Sequence, residues 1–414
     1  MTDQPTLAGR VLVVVQNLPV LIDRRVWSEC QALREAGYQV SVICPAGDDD
    51  EPRHRVVDGV HIHSYPAPPP SEGLRGYVTE FVVCWLRTAA ASVRVARGEG
   101  FDVMQACNPP DTFWLLGLLW KVLARKRFVF DQHDLCPEVY EAKFGRRGWL
   151  HRGLLLLERA TYATADHVIS TNSSYQEIAL TRGQVPIERT TVVMSAPDPA
   201  VMKRREPVEE LRHGRKHLVC YVGVMGHQDG VDGLVDAIDH YVHRLGRRDA
   251  HFALLGFGDC LPALRAQVTR LGLDDWVTFT GRVDQQELGS WLSTADVGVT
   301  PDPPNEFNHR STMNKTLEYM AHEVAVVATD LRETRRCAQD AAEYVADGAP
   351  AGLAQAIARL LDDPERRRRM AKDGRYRIEN GLDWPSQAEA YVGVYRRVLG
   401  ATTARRRRSR RLGS

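Results

Sequence analysis

Residues 217–245 read HLVCYVGVMGHQDGVDGLVDAIDHYVHRL. The apolar run His217–Val222 has the length and branching of a buried strand, and it stops at Gly223, Gly226 and Gly230. A helical period follows over Val231–Leu245. A strand that passes through glycines into a helix is the repeating unit of parallel α/β layers. Glycines at such a turn let the backbone approach a phosphate closely. The spacing is not G-x-G-x-x-G, so a glycine-rich turn without a ligand is the competing reading.

The same unit recurs on both sides of this stretch. Strand His251–Leu255 leads to Gly256-Phe257-Gly258, strand Val277–Thr280 to Gly281-Arg282, and strand Val297–Thr300 to a proline-rich loop. Upstream, strands are expected at Arg10–Val15, Gln39–Cys44, Val60–Tyr65, Asp102–Ala106, Arg127–Asp131, His167–Thr171 and Thr191–Met194, with helices between them. The chain of 414 residues is long enough for two or three domains. Residues 197–216 carry prolines and charges without a core pattern, as a linker does. The expected fold is therefore α/β, two tandem doubly wound Rossmann-like domains facing a cleft. The first spans residues 1–196 and the second 217–382; a helix follows at 383–400, then a basic tail at 401–414 read as disordered. In such sheets ligands bind at the carboxyl ends of the strands. Gly223, Gly226, Gly256, Gly258 and Arg282 all fall there.

Residues 308–320, NHRSTMNKTLEYM, add chemistry. Thr312 is suited to cap a helix starting at Met313, with Lys315 and Glu318 three apart on one face and Arg310 just ahead. A helix start that gathers cations suits a diphosphate, and a carboxylate one turn deeper suits vicinal ribose hydroxyls. An ordinary surface ion pair between Lys315 and Glu318 is the competing reading. In the first half, His133 follows a strand and suits sugar binding or proton transfer, unless Asp131 or Asp134 satisfies it. Asn17, Arg24 and Arg25 follow the first strand and are candidates for an anionic acceptor, unless the arginines only begin a helix.

Other classes fit less well. A net charge of +1 argues against a general nucleic-acid binder, although Arg405–Arg411 holds six arginines. The eight cysteines are scattered without C-x-x-C, and Met1–Gly9 is polar, which fits a reducing cytoplasm. No metal is expected: Asp48-Asp49-Asp50-Glu51 reads as a solvated run, and neither His61/His63 nor His240/His243 has a third ligand nearby in sequence. Residues 113–124 are apolar but too short to span a membrane, and read as a buried helix. The Arg146–Arg159 segment mixes arginines with Leu155–Leu157, in the manner of a core helix or an interfacial one.

Taken together, DRRV at 23–26, FDQHDLCPE at 130–138, YVGVMGHQDGVDGL at 221–234, LLGFGD at 254–259 and above all PDPPNEFNHRSTMNKTLEYMA at 301–321 resemble the GT-B retaining glycosyltransferases of family 4. The subgroup they resemble acts in bacterial cell-surface polysaccharide assembly. The resemblance implies a nucleotide-sugar donor (UDP- or GDP-linked), a sugar or lipid-linked acceptor, an anionic membrane surface as a partner of a peripheral cytoplasmic enzyme, and no metal or other cofactor. It places Glu318 as the ribose-binding second glutamate of a paired motif and His133 near the transferred sugar. It also implies that the final helix crosses back to the first domain. Arg310 replaces the motif's first glutamate, and Met225 and Asp229 occupy the stretch that usually bears the phosphate-binding cations, so Arg310 and Lys315 become the expected clamp. A nucleotide-sugar epimerase and a non-catalytic nucleotide-sugar-binding partner are the rival readings.

Overall fold

The computed structural model describes residues 7–47, 50–67 and 73–411. Asp48 and Asp49 of the acidic run, residues 1–6 of the polar start and residues 412–414 of the tail lie outside the described residues. The chain divides into two compact units: Met1–Glu141 with Gly145–Met194 and Gln387–Ser414, and Ser195–Ser386 with Ala142–Phe144.

The first unit is built on an eight-stranded sheet. Its strands are β1 (Gly9–Val14), β2 (Tyr38–Pro45), β3 (His54–Val57), β4 (Val60–Tyr65), β5 (Val103–Cys107), β6 (Arg127–Gln132), β7 (His167–Ser170) and β8 (Thr190–Val192). Their order is β3-β4-β2-β1-β5-β6-β7-β8, parallel throughout except for β3, which pairs antiparallel with β4. Such strands read as continuous apolar runs because helices cover both faces. Leu12, Val14, Ile43, Met104, Phe128 and Phe130 are accordingly buried in one cluster. The last helix, Trp384–Arg411, contributes Tyr391 and Tyr395, fully buried on this sheet, where both hydroxyls donate to Gln105 Oε1 in β5. Its backbone runs on through the arginines, which favour helix, so helix replaces the disordered tail expected from residue 401 as far as Arg411.

The second unit holds β9 (His217–Val222), β10 (Ala250–Leu255), β11 (Val277–Gly281), β12 (Val297–Thr300), β13 (Ala325–Thr329) and β14 (Ala342–Val345). Their order, β11-β10-β9-β12-β13-β14, is all parallel and corresponds to 3-2-1-4-5-6. The direction of winding reverses between β9 and β12, where this fold binds ligands. The core is the familiar one for such a layer, with Val219, Phe252, Leu254, Val297, Val299 and Val327 packed against helices such as Val231–Asp239 and Pro350–Asp362.

One helix departs from its sequence reading. Trp114–Ala124 is not enclosed: only Leu116 and Gly117 are buried, while Leu115, Leu118, Leu119, Val122 and Leu123 are exposed, the last at 77%. Hydropathy measures what a side chain tolerates, not whether a neighbour exists to cover it. In the helix Trp149–Thr164, Leu155 and Leu157 are half-buried, whereas Trp149 and Leu156 are exposed.

Candidate active site

In the second unit the site begins with glycines. The loops after β9 and β10 are hydrogen-bonded to each other: Gly223 N to Leu255 O at 3.0 Å, Met225 N to Phe257 O at 2.8 Å and Cys260 N to Met225 O at 3.0 Å. Gly256, at φ +146°, lies so close that a Cβ there would overlap the Gly223 carbonyl oxygen. No other residue meets both the dihedral and the spacing. A Cβ on Gly223 would in turn stand 3.1 Å from Lys315 Cε, so the loop lies against the lysine stem. The third loop joins through Gly256 N to Gly281 O at 2.9 Å and through Arg282, stacked 4.4 Å from the centroid of the half-exposed Phe257 ring.

This geometry corrects one expectation. The amides of Gly223 and Met225 are donated to neighbouring carbonyls, and that of Gly226 to Asp229 Oδ2 at 2.9 Å. Three of the four amides in 223–226 thus serve loop packing rather than an anion. The Asp229 carboxyl is raised above the usual range by burial, offset in part by Lys315.

The helix carrying Lys315 and Glu318 runs Asn314–Ala321 with Met313 as its N-cap, so Thr312 is not the cap. All of its residues from Lys315 to Ala321 are buried, which removes the surface ion-pair reading. Lys315 Nζ donates to both oxygens of Asp302, at 2.8 and 2.9 Å, and lies 5.4 Å from the centroid of the Tyr221 ring. Asp302 follows β12 directly, so strand, loop and helix meet at the switch point. An ammonium has three donors. Two are taken by Asp302, and the third has no protein acceptor among the described residues. Glu318, one turn on, is 6% exposed. Arg310 ends the short helix Glu306–Arg310 and pairs with the exposed Glu306 at 3.1 Å. Such a pair is worth little and exchanges readily.

The candidates of the first unit have a different character. Arg25 does not face an acceptor. It is buried, lies 3.0 Å from Glu29, and donates to Asp131 at 2.9 Å and to Val193 O at 2.8 Å. Its position on the inner face of the helix Arg24–Glu35 turns it toward the sheet. His133 Nε2 also meets Asp131 Oδ2 at 2.7 Å, which is the satisfied-histidine reading at that nitrogen. Burial alone would lower the His133 pKa, but Asp131 outweighs it and the value is raised. Burial opposes ionisation of Asp131 as well, yet Arg25 and His133 hold its carboxyl well below the usual range. Glu29 is pushed up to about 8 by burial and by Asp131. Arg24 and Asn17 are exposed. Asp302, Glu29 and Gln105 escaped the sequence reading. Asp302 carried a usable signal, a carboxylate immediately after a strand at the ligand edge.

Comparison with known proteins agrees with this architecture. A family model described as "Glycosyl transferase 4-like domain" matches residues 22–195, and one described as "Glycosyl transferases group 1" matches 216–363. The two models together span most of the chain, which belongs to the group 1 glycosyltransferases and has the GT-B fold. The alpha-D-kanosaminyltransferase of Streptomyces kanamyceticus is 27% identical over 198 residues, 47% of this chain and half of that protein's length. The MMP alpha-(1->4)-mannosyltransferase of Mycolicibacterium hassiacum is 22% identical over 401 residues, covering 90% of this chain and 93% of that protein. The crystal structure of Anabaena HepE in complex with UDP-glucose superposes with a TM-score of 0.67 at 16% identity, covering 94% of this chain and 99% of that one, a likeness of fold.

Proposed function

We propose that this protein is a retaining glycosyltransferase that moves a sugar from a nucleoside diphosphate, UDP- or GDP-linked, to an acceptor hydroxyl. The observation that carries the reading is Lys315: a buried ammonium at the β9/β12 switch point, held by one carboxylate, set against a glycine loop, with a donor left over. Breaking the bond between the sugar and the diphosphate builds negative charge on the leaving oxygen. Lys315 stabilises that charge in place, and Arg310 joins it by exchanging its exposed partner Glu306. The acceptor oxygen bonds to the anomeric carbon on the face the phosphate leaves, and its proton passes to the departing phosphate. Glu318 accepts the ribose hydroxyls, and Arg282 on Phe257 offers a flat cationic edge to the donor. No metal is required for this step, because the lysine and arginine supply the charge a bound cation would bring.

The role extends to cell-surface polysaccharide or glycolipid assembly at a membrane surface. Supporting this are the exposed Leu118, Leu119, Val122 and Leu123, with Leu156 and Trp149 on the helix packed beside them and Lys121, Arg125, Arg152 and Arg159 nearby in sequence. Exposed apolar patches on this scale mark binding surfaces. Among the described residues no helix is long and apolar enough to cross a membrane; the association we propose is peripheral.

The test is calorimetry against a panel of nucleoside diphosphates, with Glu318→Gln as control. Loss of a charge-assisted hydrogen bond costs about 1.5–3 kcal/mol, roughly 10- to 150-fold in affinity. Unchanged affinity overturns the ribose role. Donor turnover without an acceptor and without hydrolysis identifies an epimerase, and binding without any turnover a non-catalytic partner. Co-sedimentation with anionic vesicles, weakened by salt and by Leu119→Asp with Leu123→Asp, tests the membrane surface. Equal, negligible binding to anionic and neutral vesicles overturns it.

A further inference from the structure

The outer edge of the first unit's sheet carries a histidine cluster that transfer chemistry does not use. β3 and β4 form a hairpin through Asp58-Gly59, both at positive φ (+46° and +79°), the arrangement of a tight two-residue turn. The register sets His54 opposite His63, and His61 two residues before it, so all three imidazoles share one face. Glu99 arrives on that face from the connection between the helix Gly73–Arg97 and β5. Its Oε1 lies 3.5 Å from His54 Nε2, 3.6 Å from His61 Nδ1 and 3.6 Å from His63 Nε2. Sequence alone gave His61 and His63 no third ligand. The tertiary structure supplies two more groups.

These separations are too long for hydrogen bonds, which close at about 2.7–3.2 Å. His61 Nδ1 and His63 Nε2 are buried atoms with no hydrogen-bond partner, an arrangement that costs stability unless something else meets them. The spacing suits a shared cation. Nitrogen and oxygen ligands at about 2.0–2.1 Å around a tetrahedral ion stand roughly 3.4 Å apart. The ligand atoms of His54, His61 and Glu99 all lie within 4.8 Å of one another. A second such grouping among the described residues, Glu29, Cys107, Asp131 and His133, already has the Arg25 guanidinium paired with its two carboxyl groups.

We propose that His54, His61 and Glu99 bind a divalent transition cation of the zinc class. Two imidazoles and a carboxylate are an established zinc donor set, and the same set takes nickel and copper. The ion ties the edge hairpin to the connection ahead of β5 and stiffens an otherwise open sheet edge. It is a structural ion, independent of the transfer step.

The experiment uses the untagged full chain after EDTA treatment and dialysis, titrated with zinc chloride by calorimetry and with cobalt(II) by visible absorption. One equivalent per chain is expected, with the strong d–d bands of tetrahedral cobalt, a rise in melting temperature, and transferase activity equal before and after EDTA. Glu99→Gln preserves the size of the side chain and is expected to weaken binding at least tenfold, as is His61→Ala. No binding at about 100 μM zinc overturns the proposal, as does binding that both variants leave unchanged. Should His61→Ala fail to fold, Glu99→Gln alone decides. Neither outcome bears on the nucleotide site, which is tested by different residues and a different ligand.

Discussion

Each unit buries one cation at the carboxyl ends of its parallel strands, and the two are used differently. Arg25 meets two carboxyl groups and a main-chain carbonyl. Lys315 meets one carboxylate and keeps a donor over. The arginine is a strut that ties the helix Arg24–Glu35 to β6 and the chain after β8. The lysine is held in place with a donor still able to bind, as the proposed transfer requires. Burial at a ligand edge therefore does not by itself identify a functional charge.

The largest expected effect separates the two on stability. Arg25→Met leaves Glu29 and Asp131 buried without their cation and costs about 3–5 kcal/mol by chemical denaturation. Lys315→Met combined with Asp302→Asn removes both partners, costs under about 1.5 kcal/mol, and lowers turnover by about 100-fold or more. Comparable stability losses in the two variants, or full turnover in the second, break the comparison.

A buried carboxyl without such a cation sharpens it. Asp111 accepts from Asn108 Nδ2 at 3.0 Å and is pushed up by burial from 3.8 to about 6, whereas Asp131 beside Arg25 is held low. A raised acid contributes stability that is fully present below its unfolded pKa and lost as pH rises through the folded one. Asp111 is thus expected to withdraw about 3 kcal/mol at most between pH 3.8 and about 6. Asp111→Asn removes that slope. Urea midpoints of both proteins across this range measure it, and parallel curves refute it.

Gly256→Ala tests the loop junction that presents Lys315. Strain at positive φ and overlap with the Gly223 carbonyl are expected to cost about 2 kcal/mol and to weaken nucleotide binding. A variant with unchanged melting temperature and affinity places the glycine outside the site's framework. The smallest expected effect is none: EDTA leaves the initial transfer rate unaltered, because Lys315 and Arg310 carry the charge. Loss of rate restored by magnesium or manganese contradicts that.

Much of the fold was legible because strand and helix periods are local properties of the chain. Strands were legible where an apolar run marked them; β3 (His54–Val57) and β14 (Ala342–Val345) are short, carry charged or polar residues and left no such run. The glycine loops were legible as breaks between strand and helix. Their purpose was not, since the amides of Gly223 and Met225 turned inward to carbonyls contributed by a strand some thirty residues on.

The sequence by itself determined the two α/β halves, the edge on which ligands bind, and the types of residue gathered there, because hydrophobic period and turn chemistry act over a few residues. Only the tertiary structure decided how each charge is partnered. It gave Lys315 a single carboxylate from the loop after β12 and Arg25 two carboxyl groups. It brought Glu99 to three histidines of a hairpin some forty residues earlier. It left the leucines of Trp114–Ala124 uncovered. Partnership depends on which strands lie side by side, and strand order is a property of the folded sheet that no local pattern records.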